Sequence, residues 1–138
     1  MIVLDTNVLS ALMRTEPEAA VLGWLDRQAP DAIWITAVTV FEVRMGLALL
    51  PAGRRRRALE TAFERLLAED LQHRVLGFDA SAATRAAALA AARQSAGRSV
   101  DLRDTQIAGI VSARRATLAT RNLRHFRDLD VAVADPWS

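Results

Sequence analysis

The chain has 138 residues, 51% of them apolar, with 18 basic residues that are all arginine, no cysteine and a formal net charge of +2. That is enough material for one domain with its own core; it excludes a disulfide framework, and no apolar run approaches the ~20 residues of a membrane span or follows a basic signal-peptide start. The sequence pI near 10.8 reflects missing lysine, tyrosine and cysteine rather than a large cationic excess, so a nucleic-acid partner has to be argued from where individual arginines stand.

Taken in chain order, Ile2 to Asp5 reads as a short buried strand, because Met1 to Leu4 is an unbroken apolar run that delivers Asp5 at its carboxyl end. Asn7 to Met13 follows as a short helix that Asp5, Thr6 or Asn7 can cap. Pro17 to Gln28 is a helix with proline in its first turn and Val21, Trp24 and Leu25 as its core or partner-facing stripe; Ala32 to Thr36 is a strand. Thr39 to Leu50 is a helix in which Val38, Glu42, Met45 and Leu49 share a face, so Glu42 is expected to point inward, although Thr39-x-x-Glu42 also fits a capping box.

After the Pro51-Ala52-Gly53 break, Arg54 to Leu71 is an amphipathic helix with Leu59, Phe63, Leu66 and Leu67 inward. The run Arg54 to Arg57 at its start reads as a solvated end more readily than as an RNA-binding stripe. Val75 to Phe78 is a strand and Ala80 to Ser95 an alanine-rich helix ended by Gly97. Leu102 to Arg115 is a helix near whose start Asp104 stands, on the side of Ile107, Ala108 and Val111. Thr117 to Thr120 and Val131 to Ala134 are the last strands. This alternation predicts an α/β fold over residues 1–138, a mostly parallel sheet with helices on both faces. A soluble, cytoplasmic protein is expected.

Asp5, Glu42 and Asp104 thus come from distant parts of the chain toward the carboxyl edge of one parallel sheet, where ligands bind in such folds. Each acid has an ordinary explanation as a cap or helix-dipole partner. Together they pose a problem those explanations leave standing: two carboxylates about 4 Å apart repel by about 4 kcal/mol at an effective dielectric near 20. A divalent cation removes that repulsion, and oxygen ligands without cysteine or paired histidine point to Mg²⁺ or Mn²⁺ rather than zinc. His73 and His125 fall outside the acidic set and read as surface histidines, with His125 kept as a candidate substrate contact through its nearness to Asn122.

Other enzyme classes fail on particular residues. A haloacid-dehalogenase phosphatase needs an acid two positions after Asp5, where Asn7 stands, and a lysine, of which there is none. The missing lysine also argues against a receiver domain and a P-loop enzyme, and no G-x-G-x-x-G follows the first strand.

The ordered set Ile2-Val3-Leu4-Asp5-Thr6-Asn7-Val8-Leu9-Ser10, Thr39-x-x-Glu42, Asp101-x-x-Asp104-Thr105-x-Ile107-Ala108 and Leu118-Ala119-Thr120-Arg121-Asn122-Leu123-x-x-Phe126, with Pro136-Trp137 near the end, resembles the PIN-domain family. More narrowly it resembles VapC-type toxins of bacterial toxin–antitoxin pairs, including the FitB-like branch. The resemblance implies an α/β/α sandwich and a Mg²⁺- or Mn²⁺-dependent endoribonuclease acting on RNA. It also implies a homodimer, inhibited by a cognate antitoxin within a hetero-oligomer.

It carries the metal ligands over to Asp5, Glu42 and Asp104. Many members have a further acid where Asn122 stands; Asp101, one turn before Asp104, is the candidate to supply the missing charge. One tightly held ion is therefore expected, with a second recruited by substrate. Thr6, Thr120, Arg121 and Asn122 are the expected substrate contacts, and Arg103 and Arg124 flank the acids as further phosphate contacts. The rival reading is a catalytically weak PIN-like module that serves mainly in an antitoxin-containing, DNA-binding regulatory complex.

Overall fold

The computed structural model describes residues 1–138. Its strands are β1 (Ile2–Leu4), β2 (Ile33–Thr36), β3 (Val75–Leu76), β4 (Thr117–Ala119) and β5 (Val133–Ala134). They form one five-stranded sheet in the order β3-β2-β1-β4-β5, and every pairing is parallel. The helices are α1 (Thr6–Leu12), α2 (Ala19–Asp26), α3 (Ala37–Ala48), α4 (Arg54–Arg65), α5 (Ala80–Ser95) and α6 (Leu102–Arg114). The expected α/β/α sandwich is therefore observed.

Strand pleating sorts the apolar runs onto two cores. Leu4, Ile33, Ile35 and Ala119 turn to one face and meet Val8, Leu9, Val21, Phe63 and Leu67 from α1, α2, α4 and the turn after it. Val3, Leu76 and Leu118 turn to the other and meet Ala82, Ile107, Ile110 and Val111 from α5 and α6. Full burial of such a side chain contributes about 1.5–3 kcal/mol. Strands of two to four residues persist because both faces are covered, and not through ladder hydrogen bonds alone.

The alanine-rich α5 has a packing reason. A Cβ at Gly109 on α6 would lie 2.5 Å from the Ala82 carbonyl oxygen and 2.7 Å from the Ala86 Cβ. Small residues on both helices are thus what allows α5 and α6 to approach so closely.

Several element ends differ from expectation. Helix α3 starts at Ala37, capped by the Thr36 hydroxyl, which accepts from the Thr39 N–H at 3.1 Å; the Thr39/Glu42 capping box does not form. Its buried face runs through Val38, Thr39, Val43 and Leu47, whereas Met45 and Leu49 are 38% and 78% exposed. The inward stripe expected through Met45 and Leu49 is therefore corrected: α3 docks on both cores through Val38 on one side and Val43 and Leu47 on the other, which leaves Phe41, Met45 and Leu49 outward. Helix α4 stops at Arg65 and passes into a π-helical turn, Leu66–Asp70, after which Gln72 and His73 take left-handed φ angles of 46° and 57°. Helix α2 is shorter at both ends than predicted, and the last strand begins at Val133 rather than Val131.

Candidate active site

Strand β1 lies between β2 and β4. The chain leaves β1 toward β2, and after β3 crosses by way of α5 and α6 to β4 on the other side of β1. The connections diverge at the carboxyl ends of β1 and β4, and such a switch point opens a crevice. Asp5 and Thr120 stand there, one residue beyond each strand.

Asp5 is 3% exposed and Thr120 wholly buried. The Asp5 Oδ1 accepts from the Thr6 N–H at 2.8 Å, so the capping interaction foreseen for this residue is present. Its Oδ2 accepts from the Thr120 hydroxyl at 2.8 Å and from the Asn7 side-chain amide at 3.2 Å. Asn7 also reaches the Thr120 hydroxyl at 3.2 Å and accepts from the Arg121 N–H at 3.2 Å, while the Asn122 N–H donates to Thr120 at 3.0 Å. Asn7, read in the sequence as a candidate helix cap and as the residue that excludes a phosphatase, thus ties β1 to the segment after β4.

Glu42 arrives from the first turns of α3. Its Oε1 accepts from the Thr6 hydroxyl at 2.8 Å, and Thr6 lies 3.0 Å from the Thr39 hydroxyl, which is 3.4 Å from that of Thr36. Each hydroxyl has one proton to give. With the proton of Thr6 spent on Glu42, the row is oriented from Thr36 through Thr39 and Thr6 toward the carboxylate. The Arg103 guanidinium stands 3.8 Å from Glu42 Oε2.

Asp104 comes from the first turn of α6, whose N-cap is Asp101: the Asp101 Oδ1 accepts from the Asp104 N–H at 3.0 Å. Asp101 is exposed and its carboxylate serves the helix end. The Asp104 Oδ2 lies 2.9 Å from His125 Nδ1. His125, expected to be an ordinary surface histidine, is therefore an immediate partner of one of the three acids. It sits on a 3-10 turn, Leu123–Phe126, that β4 projects back over the start of α6.

The other two acids act electrostatically on Asp5. The Asp5 carboxyl is pushed up from 3.8 to about 6, first by burial and then by the charges of Asp104 and Glu42, against the lowering effect of its hydrogen bonds from Thr120 and Thr6. No three carboxylate or imidazole groups close a coordination sphere in this arrangement, since Glu42 leans on Thr6 and Arg103 and Asp104 on His125. The donor chemistry nevertheless fits a hard divalent ion: three carboxylates, no sulfur, and one buried acid whose ionisation is opposed by the other two.

The remaining expected contacts divide. The Arg121 guanidinium packs 4.8 Å over the Trp137 ring, a cation–π contact that orients it and links the chain's penultimate residue to the site. Asn122 joins the network through its backbone N–H, and its side chain is exposed. Arg124 is exposed and in no ion pair. Of the four-arginine run, Arg56 pairs with Glu60 at 2.7 Å and the others are exposed, in keeping with a solvated helix end. Beside the acids, a shallow cavity of about 720 Å³ between α3 and α6 is lined by Phe41, Val100, Asp101, Leu102 and Arg103 among others.

The pattern of the PIN domain matches residues 2–132. The VapC ribonuclease Y4jK of Sinorhizobium fredii is 39% identical over 137 residues, covering 99% of this chain and 98% of that protein. The toxin FitB of Neisseria gonorrhoeae is 34% identical and covers 99% of each chain. A solved structure of FitAB bound to a DNA fragment superposes with a TM-score of 0.90 at 34% identity, covering 100% of this chain and 96% of the other.

Proposed function

Because the chain belongs to the PIN-domain family, we propose that it is a divalent-metal-dependent endoribonuclease and the toxin of a toxin–antitoxin pair, acting as a single domain over residues 1–138. The observation that carries this reading is Asp5, a carboxylate buried at the sheet's switch point, with Glu42 and Asp104 brought to the same edge; its ionisation is opposed first by that burial and then by the charges of Asp104 and Glu42. Relatives named as a VapC ribonuclease and as a toxin support it along the whole chain.

Asp5, Glu42 and Asp104 are the residues that would hold Mg²⁺ or Mn²⁺, with Asp101 and Asn122 as outlying candidates. Such an ion, when bound, supplies a Lewis acid for a phosphodiester oxygen and lowers the pKa of water toward neutrality. The protein's own part is placement. Thr120 and Asn7 fix the Oδ2 of Asp5, and Thr6 fixes Glu42. Arg103 stands beside Glu42, and Arg121 is steadied on Trp137, both able to receive a phosphate.

The partners that follow are an RNA substrate and a cognate antitoxin, with a homodimer built on the outward apolar stripe Phe41, Met45 and Leu49 of α3. No helix is long and apolar enough to cross a membrane, and action on cellular RNA would suit a cytoplasmic protein. The DNA in the FitAB structure favours a second role alongside the first, as part of a DNA-bound toxin–antitoxin complex. The intact acids argue against that role standing alone.

Purified protein is expected to cleave RNA in Mn²⁺ and not in chelator, with Asp5→Asn and Asp104→Asn each reducing the rate by about 100-fold or more, since each would remove a ligand of the ion that supplies the Lewis acid. Mn²⁺ at about 100 times its Kd should also stabilise the wild type by about 2.7 kcal/mol, and Asp5→Asn much less. Equal cleavage by all three preparations would assign the activity to a contaminant.

A further inference from the structure

Arg93 stands on α5, a helix that contributes none of the acids, and its side chain is 4% exposed. Its guanidinium donates through Nε and Nη2 to the two oxygens of Asp128 at 2.8 and 2.9 Å, a bidentate pair. The same Nη2 donates to the His125 carbonyl at 2.6 Å, and Nη1 donates to the Thr105 hydroxyl at 3.2 Å. Thr105 in turn donates to the Asp101 carbonyl at 2.7 Å, and Arg98 adds a second contact to Asp128 at 3.1 Å.

The two segments that Arg93 grips are the ones whose meeting places Asp104. Thr105 and Asp101 belong to the first turn of α6, directly beside Asp104; His125 lies on the turn after β4 and holds the Asp104 carboxylate at 2.9 Å. No backbone hydrogen bond joins these two segments. Their relative position is set by side chains: His125 meets Asp104 directly, and Arg93 is the group outside both segments that bonds to each. Burying a guanidinium is costly, and a buried ion pair is weak evidence of a stabilising role. The three segments joined at one planar fork fit a role in geometry better.

We propose that Arg93 is a positioning residue of the nuclease site: through Thr105 and the His125 carbonyl it fixes the start of α6 against the turn after β4, and so sets where the Asp104 carboxylate stands. This rests on the nuclease reading for its effect on RNA cleavage, but not for its effect on His125. Outer partners of metal-site residues lower metal affinity or activity by about 10- to 100-fold when removed, and that is the scale expected here.

The test compares wild type, Arg93→Lys and Asp128→Asn with Asp5→Asn as a dead control. Arg93→Lys keeps the charge but cannot make the fork. The readouts are Mn²⁺ affinity by electron paramagnetic resonance, kcat and KM on RNA, the ¹⁵N ring signals of His125, and thermal stability. Both variants are expected to bind Mn²⁺ at least 10-fold more weakly, with kcat falling and KM little changed, and the His125 ring signals should move without added metal. A purely structural role would lower the melting temperature and leave those signals and the Mn²⁺ affinity of the folded fraction unmoved, which would overturn the proposal. If Arg93→Lys does not fold, Asp128→Asn, altered at a partly exposed side chain, decides by the same readouts. Loss of cleavage in wild type with a shifted His125 signal in the variants would sink the nuclease reading and keep the positioning role.

Discussion

Asp5 is held by more bonds than any other acid of the site, yet its charge is the one most opposed by the fold. A folded-state pKa of about 6 against 3.8 means that the folded protein binds the proton more tightly than the unfolded chain. The sign follows from linkage: this contribution to stability is complete below about pH 4 and is lost as pH rises through about 6. Two pKa units correspond to about 3 kcal/mol. Metal-free Asp5→Asn should therefore match wild type in stability near pH 4 and exceed it by about 1–3 kcal/mol above pH 6, the lower end allowing for an amide that fits the Thr120 and Asn7 donors less well. Urea unfolding of both proteins in chelator across that range checks this, and parallel pH profiles would contradict it. Asp5, Glu42 and Asp104 were all legible as candidate site residues, since an acid at the end of an apolar run or beside a core stripe is conspicuous. Asn7, His125 and Arg93 were not. Their roles depend on which segment returns to meet them, and an arginine in an alanine-rich helix looks like an ordinary solubilising charge.

At the level of elements, α5 and α6 pack without room for a side chain between them at Gly109, which makes that glycine the critical position of the pair. Gly109→Ala is helix-favouring by propensity, by up to about 1 kcal/mol, but its methyl would overlap the Ala82 carbonyl and the Ala86 side chain. Overpacking typically costs about 1–3 kcal/mol, so the clash wins. We expect Gly109→Ala to be destabilised by about 1–2 kcal/mol in thermal unfolding; a stabilised variant would mean that the helices part easily. Because α6 carries Asp104, the same substitution should also weaken Mn²⁺ binding. Helix identities were legible from periodicity and breakers, and Ala80–Ser95 was read to the residue. The rotation of α3 was not, because Val38 docks on one core while Val43 and Leu47 dock on the other, a choice fixed by the sheet beneath. Strand lengths also escaped, since β3 ends, and β5 begins, where pairing with the neighbouring strand does.

For the whole molecule, the strand alternation was enough to foresee a wound parallel sheet, and the order β3-β2-β1-β4-β5 explains why the candidate site lies at its middle. The outward stripe of α3 has no place in that core. Phe41, Met45 and Leu49 are 57%, 38% and 78% exposed at a spacing of four residues, the apolar line proposed above as the dimer contact. Met45→Glu with Leu49→Glu should shift the protein toward the monomer in sedimentation at micromolar concentration while leaving the melting profile of the fold little changed. An unaltered sedimentation coefficient would remove this helix from the dimer contact.

The hydrogen bond between Asp5 and Thr120 spans 115 positions, and the amide of Asn7 bridges nearly as many to the same hydroxyl. An emerging polypeptide therefore carries its first acid out of the ribosome long before the group that aims it has been made. Incomplete products of translation should be harmless to the RNA around them, and the capacity to cut would arrive all at once, only after the last strands have been synthesised.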